Sequence, residues 1–176
     1  TRVLQRTLTN RPAEDHFGGA VAASESWVVV GASLDDTGAG NAGAAYVFNA
    51  DTGAYLRPLT NPYPAADDYF GCSVAVSGNT IVVGAYADDT AGLDRGAVYV
   101  FEADTGARRP YNLTSPDPAR AGLFGYSVGV SGSLIVVGDY GDDTRAANAG
   151  AAYVFDAATG APLRSLMKPE STAAAG

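Results

Sequence analysis

The chain contains very few of the side chains on which covalent cross-links and catalysis usually depend. Of its 176 residues, only one is cysteine and only one is histidine. The single cysteine, Cys72, excludes an intrachain disulfide bond. With His16 as the only histidine, no Ser-His-Asp or Cys-His catalytic set can be assembled from positions that recur along the chain. We therefore predict that the chain is not an enzyme.

Basic residues and long hydrophobic runs are also scarce. The chain has 11 lysine and arginine residues against 19 aspartate and glutamate residues, which gives a net charge of −8 and a pI of about 4.4. Such an acidic surface argues against binding to nucleic acid or to an anionic membrane. No apolar stretch approaches the roughly 20 residues of a membrane-spanning helix, so we predict no membrane insertion. The compatible partners are cations, other proteins and carbohydrates.

What the chain does contain is an internal repeat. The dipeptide Phe-Gly occurs at residues 17, 70 and 124, at spacings of 53 and 54 residues. Three further motifs keep the same spacing: a branched run ending in Val-Val-Gly, an Asp-Asp-Thr loop and a Tyr-Val-Phe run. They begin at Val28, Ile81 and Ile135, at Asp35, Asp88 and Asp142, and at Ala45, Val98 and Ala152. A fixed period near 50 residues is typical of an array of identical supersecondary units.

Each unit has the pattern of four short strands joined by turns. In the middle copy, alternating or branched apolar runs predict strands over residues 73–76, 80–84, 97–101 and about 107–113. The run over residues 80–84 is continuous and indicates a strand buried on both faces. No helical periodicity of useful length is present. The sequence therefore predicts an all-β fold made of three β-propeller blades, each with its first strand innermost.

These motifs resemble those of the FG-GAP repeat family. The resemblance is carried by Phe-Gly at the head of each copy, then Val-Val-Gly-Ala or Val-Val-Gly-Asp, then Gly-Ala-x-Tyr-Val-Phe, and it extends from Asp15 to about Met167. FG-GAP repeats are the blades of the integrin α-chain β-propeller and of many bacterial and algal surface proteins. The resemblance implies an extracellular or cell-surface location, and binding or adhesion more often than catalysis.

The repeats divide the chain into five parts. We predict an outer strand of a preceding blade over residues 1–14, repeats over 15–67, 68–121 and 122–170, and a linker-like tail over 171–176. Propellers usually contain about four to eight blades, so three blades and an extra N-terminal strand predict a ring that is incomplete on its own. A longer chain or two chains in a six-bladed ring would complete it, whereas a filament of copies would instead cover the open terminal blades.

The calcium loop found in many family blades does not carry over to this chain. At the turn between the first and second strands, those blades have an Asp-x-Asp-x-Asp-Gly loop. Here the same turn contains Ser24-Glu25-Ser26, Ser77-Gly78-Asn79 and Ser131-Gly132-Ser133. One carboxylate in three copies cannot surround a hard cation.

Acidic pairs in the following loop are the remaining candidates for a metal site. Each loop has two aspartates, a threonine, and an asparagine or aspartate a few residues later. The candidate ligands are Asp35, Asp36 and Asn41, then Asp88, Asp89 and Asp94, then Asp142, Asp143 and Asn148. Oxygen ligands in a flexible loop would suit calcium. The alternatives are that these side chains hydrogen-bond their own backbone to hold a long turn, or that they bind a partner.

Asn112 is a candidate N-glycosylation site. Asn112-Leu113-Thr114 is an N-glycosylation sequon, which matters only if the chain follows a eukaryotic secretory route.

Taken together, the sequence favours a non-catalytic extracellular structural or adhesive module that assembles with copies of itself or with other subunits. A ligand-binding, lectin-like and possibly calcium-dependent propeller module is the first alternative. An accessory domain of a larger surface enzyme is the second, because the same fold supports many functions.

Overall fold

The computed structural model describes residues 14–116, 123–146 and 149–169. The predicted outer strand of a preceding blade, apart from residue 14, lies outside the described residues, as do Asn148 and the tail over 171–176. The described residues form twelve strands and no helix, and therefore no helix able to span a membrane. The strands are β1 (Ala20–Ala23), β2 (Trp27–Ala32), β3 (Ala44–Asn49), β4 (Tyr55–Thr60), β5 (Ser73–Ser77), β6 (Thr80–Ala85), β7 (Ala97–Glu102), β8 (Arg108–Leu113), β9 (Phe124–Ser131), β10 (Leu134–Asp139), β11 (Ala151–Asp156) and β12 (Pro162–Met167).

The twelve strands form three antiparallel sheets of four, each in sequential order. The register repeats from sheet to sheet, because Val30 lies opposite Tyr46, Val83 opposite Tyr99 and Val137 opposite Tyr153. Between the third and fourth strands of each sheet, the register shifts at an irregularity. The predicted all-β fold of three four-stranded blades is confirmed.

The sheets pack face to face, and the core lies between them. Between the first and second sheets, Val29 and Val47 pack with Ile81, Tyr99 and Phe101. The equivalent cluster between the second and third sheets includes Val82, Val98 and Val100 of the second sheet with Ile135 and Phe155 of the third. The first strands β1, β5 and β9 also contact one another in turn, which places them innermost.

The outer face of the third sheet is not covered like the others. Val29 and Val82, at the same position of β2 and β6, are 0% exposed, whereas the equivalent Val136 of β10 is 39% exposed. The prediction that the run over residues 80–84 is buried on both faces is therefore confirmed for β6, whereas the equivalent run in β10 is buried on one face only. The physical reason for the difference is that, among the described residues, another sheet packs on only one face of β10.

The second and third Phe-Gly dipeptides each join their own sheet to the preceding one. The Phe70 amide donates to the Ala42 carbonyl at 2.9 Å, and Gly43 and Phe70 form an isolated parallel bridge. A Cβ built on Gly31 would overlap the Gly71 carbonyl oxygen, and one built on Gly43 would overlap that of Phe70. The recurring glycines are therefore explained by the close approach of one backbone to another.

Candidate functional site

The first aspartate of each Asp-Asp-Thr loop ties the loop to its sheet. Asp35, Asp88 and Asp142 are buried. One carboxylate oxygen, Oδ1, accepts the backbone amide two residues later, at 2.8 Å from Thr37, 2.8 Å from Thr90 and 2.9 Å from Thr144. The other, Oδ2, accepts a tyrosine hydroxyl of the third strand, from Tyr46, from Tyr99 at 2.8 Å and from Tyr153 at 2.6 Å. These bonds fix the loop in the same position on every blade.

The second aspartate closes the loop on itself. Asp36 accepts the backbone amide of Asn41 at 2.9 Å, and Asp89 accepts that of Asp94 at 2.7 Å. Asn41 and Asp94 both have a left-handed backbone, with φ of 52° and 50°. Asparagine and aspartate tolerate that conformation better than most residues. In the third loop Asp143 occupies the matching position in the sequence.

These contacts favour a structural role for the predicted metal ligands. Calcium takes about six to eight oxygen ligands, whereas the carboxylates of the first aspartates already accept two or more hydrogen bonds from the protein. Within the described residues, no group of three or more histidine, cysteine, aspartate or glutamate side chains could hold a metal ion. The hypothesis of a calcium site at these loops stays a prediction.

The middle loop carries a second buried carboxylate. The Asn61 side-chain amide donates to Asp68 at 2.7 Å and to Asp88 at 3.1 Å, so that one nitrogen lies between two acids. All three residues are buried. The pKa of Asp68 is raised to about 6, chiefly by burial. The nearby carboxylates of Asp88, Asp89 and Asp67 also raise it, and the hydrogen bond from the Ala65 amide opposes these effects.

The third loop lacks this second acid, since Gly122 stands at the position of Asp68 in the sequence. Burial alone would raise the pKa of Asp142, but hydrogen bonds from Thr144 and Tyr153 outweigh it and hold that pKa below its usual range. Burial and the bond to Asp142 raise the pKa of Tyr153 to about 12. The middle loop therefore carries a buried carboxylic acid with a pKa of about 6, whereas the pKa of Asp142 in the third loop is lowered.

A second candidate site lies where the innermost strands begin. Four tyrosines form what we call the tyrosine row, with ring centroids 5.1, 5.7 and 5.6 Å apart from one member to the next. Its members are Tyr69, Tyr86, Tyr126 and Tyr140. The last two are 55% and 65% exposed.

The tyrosine row borders a cavity of about 390 Å³. The cavity is lined by His16, Gly19, Ser33, Cys72, Tyr86 and Tyr126. None of these side chains is a carboxylate, a lysine or an arginine, and burial raises the pKa of the Cys72 thiol to about 11, so the thiol is neutral. The cavity therefore combines aromatic faces with a few polar groups.

Sequence reasoning missed this cavity because its residues break the repeat. They occupy three positions of each copy: before Phe-Gly, directly after it, and directly after the second strand. The occupants are His16, Tyr69 and Leu123, then Gly19, Cys72 and Tyr126, then Ser33, Tyr86 and Tyr140. A search for surface positions that vary among otherwise matched repeats would have found them.

A sequence profile described as FG-GAP repeat matches this chain at residues 9–48, 59–101 and 111–155. The chain belongs to the FG-GAP repeat family. The three matches agree with the three sheets, and the predicted resemblance is confirmed. A comparison with curated proteins finds no match.

The predicted glycosylation residue lies at the rim of the second FG-GAP blade. Asn112 is half-buried in β8, the last strand of its sheet, opposite Tyr99. Its glycosylation stays a prediction.

The raised pKa of Asp68 predicts a pH-dependent stability. An acid whose pKa is higher in the folded chain stabilises the fold below its unfolded value of 3.8, and this contribution is lost as the pH rises through about 6. We expect Asp68→Asn to raise the free energy of unfolding by about 1–3 kcal/mol at pH 8 and by much less at pH 4. Urea unfolding at both pH values measures this difference.

Asp51→Asn is the matched control, because it removes the same charge from an exposed residue. It should change stability little at either pH. A gain for Asp68→Asn that is equal at pH 4 and pH 8 would show that ionisation of Asp68 is not its cause.

Replacing each of the two aspartates of the middle loop with alanine should lower the stability of the chain by very different amounts. Asp88→Ala leaves the buried Tyr99 hydroxyl and the Asn61 amide without this acceptor, so we expect a loss of about 3 kcal/mol or more. Asp89→Ala removes one exposed bond and should cost under about 1 kcal/mol. Thermal unfolding with added calcium tests the alternative that these aspartates bind a metal. If calcium raises the Tm of the native chain but not that of either variant, the loop is a metal site.

Proposed function

We propose that this FG-GAP chain is a non-catalytic structural or adhesive propeller module that assembles with copies of itself or with other subunits. The observation that supports this proposal is the uncovered apolar face of the third sheet. Val136 is exposed there, whereas the equivalent Val29 and Val82 of the other sheets are fully buried. Exposed apolar surface of this kind marks a site of association. FG-GAP repeats are typical of extracellular or surface proteins, which supports a location outside the cell.

The loops support the non-catalytic part of the proposal. The acidic side chains that recur in every blade hold backbone amides and tyrosine hydroxyls in place. A group that is used identically in three blades serves the fold of each blade, whereas an active site needs its reacting groups gathered at one place.

The native mass of the purified chain tests the proposed assembly. We expect a particle larger than one chain by light scattering, with a mass that falls on dilution. Addition of EDTA should leave it unchanged, because the loops are held by hydrogen bonds. A single chain at every concentration would contradict the proposal, and loss of assembly in EDTA would assign the loops to a metal.

The tyrosine row favours a second candidate function, which is binding of a neutral ligand with a flat apolar face, such as a sugar ring. Aromatic rings offer a large rigid contact area with a polar hydroxyl at one end, and the cavity volume lies in the range of small-molecule sites. Its lining contains no carboxylate, lysine or arginine side chain, unlike most sites for an ion.

Titration with simple sugars, followed by NMR, tests this candidate. Tyr126→Ala and Tyr140→Ala should abolish the shifts. Tyr63→Ala is the control, because Tyr63 is 56% exposed and lies outside the row. Shifts that survive in the first two variants would contradict a site at the tyrosine row.

A further inference from the structure

The junction between blades is built twice within the chain from the same parts. Two glycines of one sheet, one near the end of its second strand and one just before its third, form a socket for the Phe-Gly of the next sheet. Gly31 and Gly43 receive residues 70–71, and Gly84 and Gly96 receive residues 124–125. In both sockets, a Cβ on either glycine would overlap a carbonyl oxygen of the inserted dipeptide.

The third sheet has the same socket without an occupant among the described residues. Gly138 and Gly150 stand at the two glycine positions, beside a cavity of about 480 Å³ that Ala151 and Leu166 also line. The three atoms nearest to a Cβ on Gly138 all belong to Ser127, and a Cβ on Gly150 would come no closer than 3.2 Å to its nearest neighbour, the Tyr140 carbonyl oxygen. The third socket is therefore open to another backbone.

The first Phe-Gly already has the conformation that fits such a socket. Gly18 has φ of 93°, against 88° for Gly71 and 89° for Gly125. The Gly18 amide donates to the Gly31 carbonyl at 2.9 Å, as the Gly71 amide does to the Gly84 carbonyl at the same distance. This conformation forms although no sheet precedes β1 among the described residues. Both halves of the junction are thus preorganised, which lowers the cost of binding.

The apolar parts of the junction are also open at both ends of the array. Leu59 and Leu113 of the fourth strands are 3% and 1% exposed beneath the following sheet, whereas the equivalent Leu166 is 49% exposed. On the opposite side, Val74 of β5 is 9% exposed, whereas the equivalent Val21 of β1 is 68% exposed.

A polar contact completes each junction at the rim. Arg57 donates to the Ala103 carbonyl at 2.8 Å, and Tyr111, at the same position of the next sheet, donates to the Ala157 carbonyl. Arg164 occupies that position in β12 and is exposed. On the first sheet, Ala50 matches Ala103 and Ala157, and its amide makes the same bond to the preceding hairpin.

We propose that the third socket of one copy receives Phe17-Gly18 of a second copy, with Leu166 covered by the second copy's first sheet and Arg164 facing its Ala50 carbonyl. The occupant is a second copy because this chain carries both halves of a junction that it already makes twice internally. The interface is heterologous, because different surfaces of the two copies meet. The proposal rests on the assembly proposed above and names its surfaces.

Blocking the socket should abolish assembly without unfolding the chain. Gly138 has no left-handed φ, and the only atom closer than 3.6 Å to its new Cβ is the hydroxyl oxygen of the flexible Ser127 side chain. Gly138→Ala should therefore fold but exclude Gly18 of the second copy. Gly129→Ala, in the adjacent β9 with no atom near its Cβ, is the control and should assemble normally.

A second pair of variants keeps the test valid should Gly138→Ala fail to fold. Leu163 and Leu166 lie in the same strand and are both 49% exposed. Only Leu166 matches leucines that are covered at internal junctions, whereas Leu56, which matches Leu163, stays 37% exposed in the first sheet. Leu166→Lys should lose the assembled species by light scattering, and Leu163→Lys should keep it.

A mixing experiment tests the head-to-tail arrangement directly. Val21→Lys blocks one half of the junction and Gly138→Ala the other, so each variant alone should have the mass of a single chain. Mixed, they should form a species of two chains through the one intact pair of surfaces. If the native chain assembles and every blocking variant assembles equally well, the proposed surfaces are wrong but the proposed assembly is not. A native chain that never assembles would overturn both.

Discussion

Replacing Phe70 with alanine is expected to lower the free energy of unfolding by about 3–5 kcal/mol, the usual cost of truncating a buried aromatic side chain. Phe70 is 0% exposed and lies in the cluster between the first and second sheets. Its ring packs against Tyr99 and Phe101, with centroids 5.8 and 6.0 Å away. The adjoining backbone is held by the socket of the first sheet, so the surrounding structure cannot collapse into the cavity.

Phe17→Ala provides the matched control within the same chain. Phe17 packs against Tyr46 and Phe48 at 5.7 and 6.2 Å, much as Phe70 packs in its own blade. It is only half-buried, because no described sheet precedes it. We expect a loss of about 1–2 kcal/mol when urea unfolding is measured at a concentration where the chain is monomeric. Equal losses for the two variants would show that the phenylalanine stabilises only its own blade.

The strands and their order could be predicted because each depends on local pattern repeated three times. The branched run over residues 80–84 and the Tyr-Val-Phe run both favour strands, and short turns between them leave antiparallel pairing as the simple solution. The same pattern also recurs three times at a nearly constant spacing, so a chance match to a strand pattern is excluded. The face-to-face packing follows, since each sheet exposes an apolar face that must be covered.

The exposed face of β10 could not be predicted from its own residues. Ile135-Val136-Val137-Gly138 is as apolar as the buried run in β6. Burial depends on whether another sheet follows, which the composition of a strand does not encode. The same reason hides the open third socket, because Gly138 follows the same Ile-Val-Val run as Gly84.

The hydrogen-bond network of the middle blade also could not be predicted from the local sequence. Asn61 and Asp68 lie in the connection before the second Phe-Gly, whereas Asp88 lies in the next blade's loop. Their meeting depends on how the connection folds over the blade, and the third copy has a glycine in place of Asp68. In contrast, the bond from each first aspartate to the following threonine amide is local, and the structural interpretation of the loops rested on that type of contact.

Gly84→Ala is expected to be among the most damaging single changes in the chain. Its Cβ would overlap the Gly125 carbonyl oxygen of the third sheet and the Ser73 hydroxyl of its own sheet. Overpacking a core usually costs about 1–3 kcal/mol. Here the obstacle includes backbone rather than only a side chain, so the second and third sheets would have to separate. We expect a loss of about 3 kcal/mol or more, seen as a lowered urea midpoint and faster proteolysis.

Gly138→Ala makes the same chemical change at the equivalent position of the third sheet. There the new Cβ meets only Ser127, whose side chain can rotate away, so the monomeric chain should lose under about 1 kcal/mol. The difference between the two variants isolates the cost of pushing a neighbouring backbone out of the socket. If both variants unfold at the same urea concentration, close approach to the next Phe-Gly is not the reason for glycine at this position.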